Sequence, residues 1–259
     1  MRRPVKGSPF DAALVPDGLL HPRYMPQKNG RAVYVACSRA ATGMLHPGSF
    51  RRIASEIMLP KNLPDMVAHL LRLRVLQELD YLASRLEKQN RSSRSQSPPL
   101  LRQLPYDEWL SLKNTGRVSC ADALAVIVVP SVNRDPKTKE RPSINLSADP
   151  VSDEDIPRPD SVFPPFATLC NVSEPLGPPT LLSVRQVPLY HAIAAFPSRS
   201  QRHTLHTLLL RILKRQSEAH TSSRSPAFVL SPNSNLATQV TAVAVALHRL
   251  HLFEKGNFL

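Results

Sequence analysis

Glycine is scarce in this chain, with 8 in 259 residues. None of them falls into G-x-G-x-x-G or G-x-x-x-x-G-K-[ST], so the usual backbone cradles for a dinucleotide or a triphosphate are absent. G-x-S-x-G is missing too, which disfavours the common α/β-hydrolase arrangement. Aromatic residues make up only 5%. The core must therefore be aliphatic, and platforms for stacking single-stranded bases are nearly lacking. No apolar run approaches the roughly 20 residues that a membrane span needs, and the N-terminus lacks the apolar stretch of a secretory signal. Cys37, Cys120 and Cys170 are odd in number and widely spaced, with no C-x-x-C, which argues against a disulfide framework, a zinc ribbon or a thioredoxin-like site. Carboxylates are few in the stretches that look ordered, leaving little for general acid/base work. These absences lead us to expect a soluble intracellular protein with no cofactor, and they lean against an enzyme without excluding one.

Proline and positive charge are what the chain has in quantity: 26 Pro and a net charge of +13. The charge is uneven. Residues 1–104 hold 17 Lys/Arg against 7 Asp/Glu, residues 105–182 hold 7 against 11, and residues 183–259 hold 9 against 2. Two basic ends flanking an acidic middle attract polyanions such as RNA or acidic protein surfaces.

The longest uninterrupted helical pattern runs from Asn62 to Asn90. Pro64 and Asp65 suit its first turn, where a missing N–H costs nothing and a negative charge meets the positive end of the helix dipole. Ala68, Leu71, Val75, Leu79, Leu82 and Leu86 recur at three- and four-residue steps. Met66, Leu70, Leu73 and Leu76 lie off that stripe, so the first half should be covered on more than one side, while Arg85, Glu87 and Lys88 leave a wet face farther on. Upstream, Val33, Ala36, Cys37, Ala40, Ala41, Met44 and Leu45 predict a helix over 30–46, and Ser49 to Ile57 predict a short one. Residues 30–90 thus read as a three-helix unit. A helix-turn-helix reading of that unit fails on chemistry. The second helix opens on Met66, Val67, Leu70 and Leu71, where a recognition helix needs polar side chains for base edges.

Around this unit the chain is broken. Residues 1–29 carry Pro4, Pro9, Pro16, Pro22 and Pro26 and read as a disordered basic tail, extended or laid over the domain. Arg2, Arg3 and Lys6 slightly favour a mitochondrial address, although Asp11, Asp17 and the prolines spoil the amphipathic helix of a presequence. Residues 91–104 read as a Ser/Arg linker. Residues 131–180 read as a disordered acidic, Pro-rich insertion.

Residues 105–130 and 181–259 together read as a small α/β unit. Strands are expected at 121–129, 181–187 and 227–230, with parallel pairing, and helices at Arg199–Gln216 and Leu236–Phe253. Pro188 should mark a strand edge or end. The fold class is mixed α+β: an N-terminal three-helix unit and a small C-terminal α/β layer, with long disordered Pro-rich segments.

Charge, missing aromatics and missing motifs together predict a non-catalytic basic binding protein, associated with RNA or a ribonucleoprotein through Arg-rich helix faces. The candidate phosphate contacts are Arg51, Arg52, Arg72, Arg74, Arg202, Arg211, Lys214 and Arg215. The alternative is a protein–protein scaffold or assembly factor, docking through the small-residue face of helix 30–46 or through the C-terminal helix. An enzyme built at the C-terminal strand ends ranks third. His203 and His206, with His248 and His251, are weak metal candidates, because four imidazoles bind zinc only if the two helices face each other.

Overall fold

The computed structural model of the chain describes residues 12–24, 33–50, 57–89, 99–130, 132, 144, 146, 165–172, 185–216, 225–232 and 236–255. It is a mixed α/β structure: three long helices cover one face of a six-stranded sheet and a shorter helix lies on the other. In chain order, Ala12–Ala13 (β1) pairs in parallel with Ile57–Met58 (β2). Arg39–Gly43 (α1) precedes the long helix Leu63–Gln89 (α2). Then come Leu101–Gln103 (β3), Tyr106–Thr115 (α3), Arg117–Val118 (β4), Ala125–Val128 (β5), Ala167–Val172 (β6) and Gln186–His191 (β7). Ala192–Ala195 (α4), Arg199–Gln216 (α5), Ala227–Leu230 (β8) and Ala237–Lys255 (α6) complete the fold. The sheet order is β3-β8-β5-β7-β6-β4.

β5 and β8 sit inside the sheet because their sequences, Ala-Val-Ile-Val and Ala-Phe-Val-Leu, are apolar on both faces, as a strand covered on both sides requires. Ala125, Ile127, Phe228 and Leu230 join the larger core under α2, α5 and α6. Val126, Val128, Ala227 and Val229 join a smaller core with Leu112 of α3 and with Trp109. β5 and β7 are parallel, but β8 runs antiparallel to β5, so the expectation of three parallel strands holds for one pair only.

Pro188 lies inside β7 rather than at its end. The bonds His191 N–H to Phe166 O (3.1 Å) and Val172 N–H to Arg185 O (2.8 Å) set the alternation of the β6–β7 ladder. Pro188 opposite Leu169 then falls on a pair that exchanges no hydrogen bonds. The register with β5 begins at Leu189, so the missing N–H breaks neither ladder.

Two further strands come from regions read as unstructured: β3 from the end of the expected linker 91–104, and β6 from the expected insertion 131–180. Residues 90–98, and most of 131–164 and 173–184, lie outside the described residues. α3 ends at Gly116, whose φ of 65° lets its N–H close onto Leu112 O, a left-handed cap that favours glycine.

Of the three helices expected over 30–90, only α2 has the expected length. The helix over 30–46 shrinks to α1, with Pro47–Phe50 forming a 3-10 turn. Residues 51–56 lie outside the described residues, and Ile57 is in β2. The small side chains of 33–45 supply too little apolar area to hold a full helix against the core. α2 itself is buried as its double pattern requires: Val75, Leu76, Leu79, Leu82 and Ala83 are fully enclosed. It shares one core with α5, α6 and the sheet.

Helix directions follow from side-chain contacts. Gln201 meets His69 (3.4 Å) and Arg211 meets Glu87 (2.9 Å), so α5 runs parallel to α2. Glu254, at the end of α6, pairs with Arg72, so α6 runs antiparallel. α2 is the middle helix, with α5 and α6 each packed on it.

Candidate nucleic-acid interface

Most of the arginines singled out from the sequence are occupied within the chain. Arg72 Nε donates to Ala195 O (2.8 Å) and its guanidinium pairs with Glu254. Its side chain is largely buried, and burial outweighs the attraction of Glu254, pulling its pKa below the ordinary value. Arg39 adds a second cation to Glu254 and also pairs with Asp65.

Arg74 donates to Leu20 O (2.5 Å) and pairs with the buried Glu78 (2.6 Å). This contact holds down a strap, residues 14–24, part of what the sequence presented as a tail. Leu14, Leu19 and Leu20 pack on the core, the His21 N–H donates to Gln77 Oε1 (3.0 Å), and Tyr24 Oη donates to Asp80 (2.6 Å). Arg202 donates to the carbonyls of Phe196 (2.9 Å) and Pro197 (2.6 Å), tying the turn between α4 and α5. Arg72, Arg74 and Arg202 therefore act as staples of the fold. Arg51 and Arg52 lie outside the described residues.

The remaining candidates, Arg211, Lys214 and Arg215, come together at one end of the helix layer. Glu87 takes Arg211 Nε at 2.9 Å and Arg215 Nη2 at 3.5 Å, and Asp80 takes Arg211 Nη1 at 3.0 Å. The last turns of α2 and α5 are thus level and side by side. The hydrogen bond to Glu87 raises Arg211 above its ordinary pKa. Lys214 and Arg215 are exposed.

The sequence reading missed three cations at the same end. Lys88, in the last turn of α2, and Arg85 are exposed, and Arg85 Nε bonds Tyr81 Oη (2.9 Å) with its guanidinium over the ring at 5.3 Å. Arg23 lies over the Tyr24 ring at 5.8 Å. Burial, then the bond to Asp80, pushes the Tyr24 phenol up to about 12, so it stays a neutral donor. The sequence did show Arg85, Glu87 and Lys88 as a wet face. The convergence of α5 and the strap on that face was not legible, because the α5 contacts join residues 124 and 131 apart and the strap contacts residues 54 to 56 apart.

Among the described residues, six cations and two carboxylates, Asp80 and Glu87, therefore lie toward this end of the helix pair. Each helix C-terminus adds about half a negative charge, so the two together offset about one unit. Charge at the α2 C-terminus would ordinarily be explained as serving the dipole alone, but the excess here is larger than the dipoles require.

The histidine pairs do not converge. His203 and His206 are on α5, whereas His248 and His251 are on α6, with α2 packed between. His206 meets Phe228 edge-on (6.2 Å) and His251 stacks on Phe166 (5.4 Å). Burial lowers the pKa of His251. Among the described residues no group of three or more His, Cys, Asp or Glu is arranged to hold a metal ion, and no helix is long and apolar enough to cross a membrane. No family model matches this chain, and neither the curated proteins nor the solved structures contain a significant match to it.

Proposed function

We propose that the protein is a non-catalytic RNA-binding protein that takes the phosphate backbone at the joint C-terminal end of α2 and α5. The observation that supports this is the level placement of the two last turns, which gathers Arg23, Arg85, Lys88, Arg211, Lys214 and Arg215 around two carboxylates. Guanidinium groups suit phosphate because their forked donors match its oxygens. The tyrosines at this end carry Arg23 and Arg85 on their rings and leave little face for bases, so recognition is of backbone and shape. Arg72, Arg74 and Arg202 drop out of the phosphate-contact set, since releasing any of them would strand a buried partner.

The test is fluorescence anisotropy with a mixed-sequence single-stranded RNA across a salt series. Replacing Lys88, Lys214 and Arg215 together by Gln should lower the salt slope by about 2, since each phosphate contact on a single strand contributes about 0.7. A control triple, Lys61→Gln, Lys113→Gln and Arg117→Gln, removes the same charge from exposed positions elsewhere and should change the slope little. Equal loss in both triples would reduce the reading to net charge. Poly-glutamate displacing the RNA at matched charge would instead point to an acidic protein as the partner.

A further inference from the structure

The outward face of α6 carries a feature that the phosphate site does not use. Val240, Val243, Leu247, Leu250 and Phe253 face the core. On the opposite side Thr238, Thr241, Val245, His248, Leu252 and Lys255 are all exposed, in alternating steps of three and four residues. That is the spacing at which a second helix lies along a first one. At about 1.5 Å per residue the stripe runs roughly 26 Å. Val245 is 49% exposed and Leu252 43% exposed, each one step from His248.

The charge of this face is of one sign. Arg249, His248 and Lys255 are exposed on it, and the single carboxylate of α6, Glu254, is turned inward between Arg72 and Arg39. A neighbouring stretch extends the apolar surface. Cys37 Sγ donates to the Arg249 carbonyl (3.8 Å), which ties the segment Val33–Cys37 to the C-terminal half of α6. Tyr34 in that segment is 96% exposed, between the exposed Val33 and Val35.

We infer that this face docks an amphipathic helix of a partner protein, one that lays apolar side chains on Val245 and Leu252 and sets acidic side chains against Arg249 and Lys255. Charge complementarity selects that occupant. A second copy of this chain would bring cation against cation with no free carboxylate on either α6. RNA would leave the apolar centre of the stripe unmatched, since aliphatic side chains contribute nothing to a phosphate contact. Tyr34, exposed in the segment tied to α6 through Cys37, is of a residue type enriched at such interfaces.

The probe is a synthetic peptide of about three heptads, with Leu at the seam positions and Glu flanking them, and a twin with Lys in place of Glu. Titrated by isothermal calorimetry, the acidic peptide should bind and the basic twin should not. Val245→Asp with Leu252→Asp should weaken binding by about tenfold or more, as loss of central apolar contacts does. Circular dichroism should be unchanged, because both positions face solvent. Arg249→Glu with Lys255→Glu should reverse the preference between the two peptides, an effect that misfolding cannot produce. Three results would each overturn the inference: no binding of the acidic peptide, equal binding of both peptides, or a sedimenting dimer of the wild-type chain that Val245→Asp with Leu252→Asp dissolves. None of these outcomes bears on RNA binding, so the two sites stand or fall separately.

Discussion

The two halves of α2 use the same residue type for opposite ends. In the first half Arg72 and Arg74 point into the structure, and each meets a carboxylate and a backbone carbonyl. In the second half Arg211 and Arg215 arrive from α5 and share Glu87, while Arg85 and Lys88 face solvent. The difference lies in how many cations share the acids and how far those cations are from water. A buried guanidinium needs a partner to offset desolvation, so the fold supplies one for each. Near the surface solvent does that work, and an excess of cations costs little. Basic composition therefore divides into charge that builds the protein and surplus charge at its surface.

Removing Arg72 should give the largest effect. Arg72→Ala leaves the largely buried Glu254 held by Arg39 alone and Ala195 O without its donor, and breaking a buried pair costs up to about 3–5 kcal/mol. Urea unfolding followed by circular dichroism reads this directly. Arg72→Met with Glu254→Leu should recover most of the loss, since it removes both charges and keeps the volume. A cost for Arg72→Ala no greater than that of a surface substitution would erase the distinction between the two halves.

Arg211→Ala should cost less, about 1 kcal/mol, because the Arg211 guanidinium is itself partly exposed, Asp80 keeps Tyr24 Oη and Glu87 keeps Arg215. The same urea experiment checks it, and the ordering of the two variants matters more than either value. Where Arg211→Ala proved the costlier, the α2–α5 end would be the structural one.

Acid should weaken the fold through three partly buried histidines. Burial lowers the pKa of His21, with Glu78 opposing and Arg74 and Arg23 assisting the shift. Burial also lowers those of His191 and His251. A folded-state value below the unfolded one means that the unfolded chain binds protons first as pH falls. Stability is then fully present above about pH 6.5 and declines below it, by at most about 1.4 kcal/mol per pH unit for each such histidine. Unfolding free energies at pH 7.5, 6.5 and 5.5 should fall in that order, and His21→Gln should flatten part of the slope. A slope unchanged in His21→Gln would mean that the strap carries none of it.

Several of these elements were legible in the sequence, and their limits are physical. The patterns at 63–89 and 199–216 were strong because a helical period repeats without glycine or interior proline, and 227–230 showed as a short continuous apolar run. β5 showed in its apolar, β-branched run, whereas the strand expected at 181–187 meets β7 only at Gln186 and Val187, because Pro188 read as a stop and the ladders pass it. β3 and β6 did not show, because three residues beside Pro98-Pro99 and six within a Pro-rich stretch carry too few positions for a period, and the sheet decides them. The helix expected over 33–45 failed for the opposite reason: the period is present but the side chains are too small to anchor it. At the candidate site, residue types were readable and partners were not. Arg72 and Arg211 look alike in sequence, and only Glu254 and Glu87, 182 and 124 residues away, separate a staple from the rim of a basic surface.

The smallest effect on stability should come from Lys214, and it sharpens the comparison most. Lys214 is exposed in the last turn of α5, where its contribution through the helix dipole is about 0.5 kcal/mol at low salt. Lys214→Gln should therefore leave the urea midpoint nearly unmoved while lowering the salt concentration at which the protein elutes from an RNA column. Arg72→Gln should do the reverse: a large loss of stability, with the folded fraction eluting at the unchanged salt. Should both variants shift elution and stability together, structural and surplus charge would not be separable in this fold, and the RNA site at the α2–α5 end would lose its physical basis.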